Sequence, residues 1–296
     1  MVTSLSVVQP APEADPAELL REQRSAIDSV YGHLEDLGPG ADGEIVASIL
    51  TRAFDDPALG FLVAVEGGPQ RLIEQSVEEY RRFEPNEASN ASSAAGLVRI
   101  LLLQNVDLVW WADQPNVADA EALREMAGFE DLRALRRRGK VAFSFGIGSN
   151  TILRRGRDFL VQRLFPNREP RGPGLSFTAI RPPMLALLNE VAGNVAQQAP
   201  LGTPPIRVTS IVRTVEHQQH LKTLGFSAFL PSVHCRGWAA DIEVAWFKRF
   251  GADQVLKDVL LGYLDAGILN VIDEGRAWHV CLSPAHADHY ESLARS

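Results

Sequence analysis

Two residues that can bind a metal ion, His234 and Asp241, stand seven positions apart in "SVHCRGWAADIE", residues 232–243, with a glycine and small residues between them. Imidazole nitrogen and carboxylate oxygen are both zinc donors, and catalytic zinc sites use three such protein ligands while keeping one position open. The stretch alone leaves two readings: ligands of one ion, or a surface histidine beside a helix-capping aspartate. A third donor has to come from elsewhere. Of the seven histidines, His33, His217, His220, His286 and His289 lie in helical or terminal contexts, where solvent-facing or capping roles are the default. His279 differs, because it sits between Trp278 and Val280 in an expected buried strand. A polar ring there costs stability unless it finds a partner. A metal ion shared by His234, Asp241 and His279 meets that need.

The two cysteines fall beside these residues. Cys281 is two positions beyond His279, so a strand turns both side chains to one side. That places it to line the pocket or to ligate; a packed thiol is the other reading, and the same holds for Cys235 beside His234. Two cysteines are too few for a disulfide framework and read as reduced thiols.

The elements that must position these residues follow from periodicity. Helical spacing runs from Pro16 to Asp36, and Asp42 is placed to cap a second helix through "GEIVASILTRAF". A third helix covers "PQRLIEQSVEEYRRF" and a fourth 97–111, an apolar run broken by Arg99, Gln104, Asn105 and Asp107 and ending in Trp110 and Trp111, read as packing residues. "ADAEALREMAGFEDLRALRRRG" reads as one or two helices, and "KVAFSFGIGSN" as an extended segment. "FGIGSN" lacks the spacing of a dinucleotide site and the lysine of a phosphate loop. Further on, "RPPMLALLNEVAGNVAQQ" is a helix opened by proline, "PPIRVTSIVR" a strand, and "TVEHQQHLKTLG" a helix. "ADIEVAWF" reads as a strand, "GADQVLKDVLLGYLDAG" as a helix, and "ILNVIDEGRAWHVCLS" as two strands turning at "DEGR". The expected fold class is α+β: a mostly helical N-terminal region, residues 1–170, followed over 171–296 by a domain with a small antiparallel sheet and flanking helices. The boundary is drawn at "PNREPRGPG".

Composition sets the limits. The 296 residues are 46% hydrophobic and 22% charged, the profile of a globular chain. No window approaches eighteen apolar residues, so no membrane span is expected, and the start has no signal-peptide pattern, so a cytoplasmic location is. A net charge of −8 argues against a general nucleic-acid binder. Residues 131–171 are the exception, with eleven Lys or Arg against three Asp or Glu; Arg136, Arg137 and Arg138 could meet an anion, or the segment is a solvated surface.

"SVHCRGWAAD" resembles the Ser-x-His-x2-Gly-x-Ala-x-Asp signature of the zinc D-alanyl-D-alanine carboxypeptidase and dipeptidase group, which has the hedgehog-like DD-peptidase fold. The likeness extends upstream to "VTSIVRT", similar to the strand that brings an arginine to that family's active site, and downstream to a Glu-before-His element; it covers roughly residues 175–292. The resemblance implies Zn2+ held by His234, Asp241 and His279. It implies Glu274 as general base, which takes a proton from the attacking water and passes it to the leaving amine. Arg213 would hold the scissile carbonyl oxygen or a substrate carboxylate, and Ser232 would lie near the substrate and the ligand turn. The implied activity is a zinc metallopeptidase, carboxypeptidase- or dipeptidase-like, acting on a small peptide or muropeptide that contains D-amino acids. One departure stands out. Many members have Glu-x-x-His, whereas "EGRAWH" puts five positions between Glu274 and His279, which leaves Asp273 as a substitute base or a subfamily feature as the explanation. It also motivates the alternative: a non-catalytic zinc-containing binding or structural protein that keeps the peptidase fold. For the N-terminal region three roles stay open: covering the cleft, selecting substrate, or driving assembly into a homo-oligomer.

Overall fold

Polar side chains start the N-terminal helices. Asp15 accepts from Ala17 N at 3.0 Å to open α1 (Pro16–Glu35), and Asp42 accepts from Glu44 N at 2.9 Å to open α2 (Gly43–Ala53). Next come a 3-10 segment (Pro57–Ala64), α3 (Gly68–Arg82) and α4 (Ala94–Trp110), which Ser93 caps through Gly96 N. The computed structural model describes residues 15–64, 67–84, 91–146, 175–224, 226 and 228–296. Helices α1 and α3 bury one stripe each, Leu20, Ile27, Val30 and Leu34 on the first and Leu72, Ile73 and Tyr80 on the second. Helix α4 is buried on nearly every side, from Leu97 through Leu103 to Val106 and Leu108. Such a helix needs neighbours all round: it packs on α1 and α3 and, beyond them, on the sheet.

After α4 come α5 (Ala120–Glu125), β1 (Glu130–Asp131), α6 (Leu132–Arg137), β2 (Ser144–Phe145) and β3 (Ala179–Ile180). Then follow α7 (Pro182–Gln198), β4 (Arg207–Ser210), α8 (Val215–Thr223), a 3-10 turn (Val233–Arg236) and β5 (Ala239–Glu243). The chain ends with α9 (Ala245–Lys248), α10 (Asp253–Asp265), the hairpin β6 (Leu269–Asp273) and β7 (Ala277–Leu282), a 3-10 turn (Pro284–His286) and α11 (Ala287–Arg295). The protein is thus α+β, with a helical N-terminal region and a C-terminal region that mixes helices with a small open sheet. That sheet has the order β2-β4-β5-β7-β6. It is antiparallel from β4 to β6; β2 joins the edge in parallel to β4, a departure from the purely antiparallel expectation. Strands β1 and β3 form a separate pair. No described helix is long and apolar enough to cross a membrane.

One strand is shorter than its sequence pattern suggests. In "ADIEVAWF" the ladder stops at Glu243, because its partner β7 begins at Ala277, and "AWFK" coils into α9 instead. The segment drawn as the boundary, most of the basic stretch and "GIGSN" beyond Gly146 lie outside the described residues. Of the three consecutive arginines at 136–138, Arg136 lies over the Phe145 ring, 3.5 Å from its centroid, and donates to Phe145 O at 2.7 Å.

Strand alternation sorts the β5–β7–β6 side chains between two layers. Ala240, Ile242, Val271, Val280 and Leu282 join a core built with α7, α10 and Tyr290 of α11. Ile272 joins the core of the N-terminal helices, and its neighbours on that face are polar: Asn270, Glu274, His279 and Asp241.

Candidate metal centre

Register brings the ligands together. Asp241 on β5 and His279 on β7 are direct cross-strand partners, so their side chains leave the sheet on one face. His234 arrives from the 3-10 turn before β5. Ser232 opens that turn by accepting from His234 N at 3.3 Å, and Gly237 closes it at φ 78°. A side chain at 237 would fit neither the left-handed backbone nor the space, since a Cβ would stand 2.6 Å from the Phe129 ring. The turn is also pinned from behind. Arg236 donates to Leu108 O at 2.9 Å and to Trp111 O at 2.8 Å, a cation on the last carbonyls of α4.

The three donor atoms form a small triangle. His234 Nε2 lies 3.1 Å from Asp241 Oδ1 and 3.1 Å from His279 Nδ1, and the third edge, His279 Nδ1 to Asp241 Oδ1, is 3.3 Å. All three residues are buried. Their outward contacts fix which atoms face inward. Ile211 O accepts from His234 Nδ1 at 2.7 Å, and Asp107 Oδ2 accepts from His279 Nε2 at 3.0 Å. Those acceptors hold the ring protons, so each neutral imidazole turns a lone pair to the centre. Two lone pairs and a carboxylate oxygen then converge with no donor among them. Four ligands placed tetrahedrally at ~2.0–2.1 Å lie ~3.3–3.4 Å apart, close to these edges. The cluster is therefore capable of coordinating a metal ion. Its nitrogen and oxygen donors suit several divalent first-row ions.

The carboxylates around the triangle favour positive charge on His279. Burial alone lowers the His279 ring, yet hydrogen bonds to Asp107 and Asp241 outweigh it and raise its pKa to about 10. Burial lowers His234, with Asp241 opposing and Arg213 adding to the effect. Burial works against the Asp241 charge, but His234 and Arg213 hold it well below the usual carboxylate range.

The other sequence candidates lie around this triangle. Arg213 pairs through Nη2 with Asp241 Oδ2 and donates from Nε to Ser210 at 2.7 Å; its side chain keeps 20% exposure against 7% for Asp241. Glu274 sits in the β6–β7 turn on the ligand face, outside the donor set, with Oε1 accepting from Gln104 at 2.7 Å. Burial, then the Asp241 charge, pushes its carboxyl up to about 7. Asp273 is exposed and accepts from Gly275 N, turned away from the ligands. Both cysteines are buried free thiols, and neither joins the donor set among the described residues. Ser232, for its part, serves the ligand turn.

Three contributors were not singled out in the sequence: Asp107 behind His279, Gln104 behind Glu274, and Asn270, which donates to Asp107 Oδ1 at 2.8 Å. Two stand on α4. They did carry a signal, as polar positions one turn apart inside a largely apolar helix, and buried polar groups demand partners. Comparison with protein-family models, with curated proteins and with solved structures finds no match for this chain.

Proposed function

We propose that this chain is a zinc-dependent hydrolase that cleaves a peptide or amide bond. The observation that carries the reading is Glu274, a buried carboxyl beside the three donors but not among them, its pKa pushed up to about 7. A general base works best when its pKa lies near the operating pH, and the donor set leaves it free for that work. Bound zinc supplies a Lewis acid that polarises a carbonyl and acidifies water, and three protein ligands leave a position for substrate chemistry.

The chain's own residues then divide the work. Glu274, steadied by Gln104, takes a proton from the attacking water and delivers it to the leaving nitrogen. Arg213 is the solvent-facing cation beside the ligands, and it offsets negative charge growing on the carbonyl oxygen or reads a substrate carboxylate. Ser232 holds the ligand turn. The substrate class, a small peptide with D-amino acids or derived from peptidoglycan, rests on the resemblance of "SVHCRGWAAD" to the zinc DD-peptidase group.

A second reading is favoured by how closed the site is. His234, Asp241 and His279 are 2%, 5% and 1% exposed. A metal held in such surroundings can serve structure alone, in a non-catalytic binding or structural protein. Incubation of the zinc-loaded chain with a panel of D,D-, L,D- and L,L-dipeptides and muropeptides decides between them. Turnover that disappears in Glu274→Gln while zinc content holds supports the hydrolase. Full zinc with no turnover on any member supports the structural reading.

A further inference from the structure

Among the described residues, one hydrogen-bonded chain runs from the N-terminal helices to a metal ligand. Arg24 on α1 donates from Nη1 to Asn270 Oδ1 at 2.6 Å. Asn270, on β6, donates from Nδ2 to Leu103 O at 3.0 Å and to Asp107 Oδ1 at 2.8 Å. Asp107 Oδ2 accepts from His279 Nε2 at 3.0 Å. Neither Asp107 nor Asn270 has any exposed surface.

Each link has only one sense of donation. A guanidinium donates and never accepts, so the amide oxygen of Asn270 faces Arg24 and its NH2 group faces α4. That group meets two acceptors, Leu103 O and Asp107 Oδ1, which leaves Oδ2 of the carboxylate for His279. A carboxylate at that point keeps the ring proton on Nε2 and turns Nδ1 to the ion. Position 107 lies on a helix buried among leucines and valines, where a carboxylate is costly unless paired. Among the described residues its carboxylate is paired with Asn270 and with His279 of the metal centre.

We propose that Asp107 is a positioning residue of the metal centre, held in place by Asn270 and Arg24, so that the N-terminal helices set the affinity of the C-terminal ligands for their ion. The proposal rests on the metal reading of the triad. A carboxylate behind a ligating histidine fixes the ring and raises its basicity, and loss of such a partner costs ~10–100-fold in metal affinity. Arg24 acts two links away, so its removal has a smaller effect in the same direction.

The test uses the full chain as wild type, Asp107→Asn and Arg24→Met. Zinc dissociation constants come from competition with a chromophoric chelator, and visible spectra are taken on the cobalt(II)-loaded forms. Asp107→Asn is expected to bind zinc ~10–100-fold more weakly and to shift the cobalt bands, with Arg24→Met weakened by a smaller factor. A folded Asp107→Asn chain that binds zinc as tightly as wild type, with an unchanged cobalt spectrum, overturns the proposal. If that variant does not fold, unchanged affinity in Arg24→Met overturns it. A wild-type chain that takes up no zinc is a separate failure, since it removes the metal reading itself.

Discussion

The strands β5, β6 and β7 have two faces that solve opposite problems. Toward α7 and α10 they present Ala240, Ile242, Val271, Val280 and Leu282, which need only to exclude water. Toward α4 they present Asp241, Asn270, Glu274 and His279, which are also buried but must each be paired. The dry face tolerates any good packing, whereas the polar face requires particular atoms at particular distances. Neighbouring residues on one strand therefore fail in different ways when changed.

The largest expected effect comes from Asp241→Ala. It removes a metal donor and leaves Arg213 and His279 without their shared carboxylate; breaking such a buried pair costs ~3–5 kcal/mol. Urea unfolding with metal analysis should show both losses together. Ile242→Ala, one residue along and fully buried on the other face, sharpens the contrast. It should cost ~2–5 kcal/mol in the same unfolding experiment while metal content stays at the wild-type level. Equal metal loss in both variants would erase the distinction between the faces.

Protons come next in size. In the metal-free chain His279 sits at about 10 against an ordinary 6.5. Its contribution to stability is complete below pH 6.5 and is lost as pH rises through about 10, because the folded state alone keeps the proton in that window. Glu274, raised from 4.5 to about 7, has the same sign in a lower window, with its contribution present below 4.5 and lost as pH rises through 7. Asp241, held low, is ionised throughout both upper ranges and adds no slope there. Metal ligation needs the His279 lone pair, so binding expels that proton. Zinc affinity should then rise ~tenfold per pH unit between pH 7 and 9, with proton release visible by calorimetry in two buffers. A flat profile would contradict the assignment of His279 as a ligand. The smallest effect is expected for Ser232→Ala, which removes a side-chain cap from the ligand turn. It should lower stability by ~1 kcal/mol in urea unfolding with metal retained.

The two halves of the site were unequally legible in the sequence. The turn from Ser232 to Asp241 is local, so its spacing made His234 and Asp241 candidates for one ion while leaving a capping role open, and His279 stood out as a polar ring in an expected buried strand. The five-position step from Glu274 to His279 is a tight turn in the fold: β6 ends at Asp273 and β7 starts at Ala277, which keeps Glu274 on the ligand face. Alternation accounts for that, since Ile272 pairs with His279 and Glu274 lies two residues further on. The contribution of α4 was not legible. Gln104 and Asp107 precede their partners by 170 and 172 positions, and no local pattern says which strand a helix will cover. Their polarity in an apolar run is a signal that each needs a partner, but it names none.

The central claim, that His234, Asp241 and His279 hold one metal ion, is tested most directly by metal content. Plasma mass spectrometry on chain purified without a histidine tag, beside a His279→Ala variant, reads it in one experiment. The expected result is about one zinc per wild-type chain, mostly lost in the variant. Wild-type chain that carries no metal even after zinc is supplied would contradict the account.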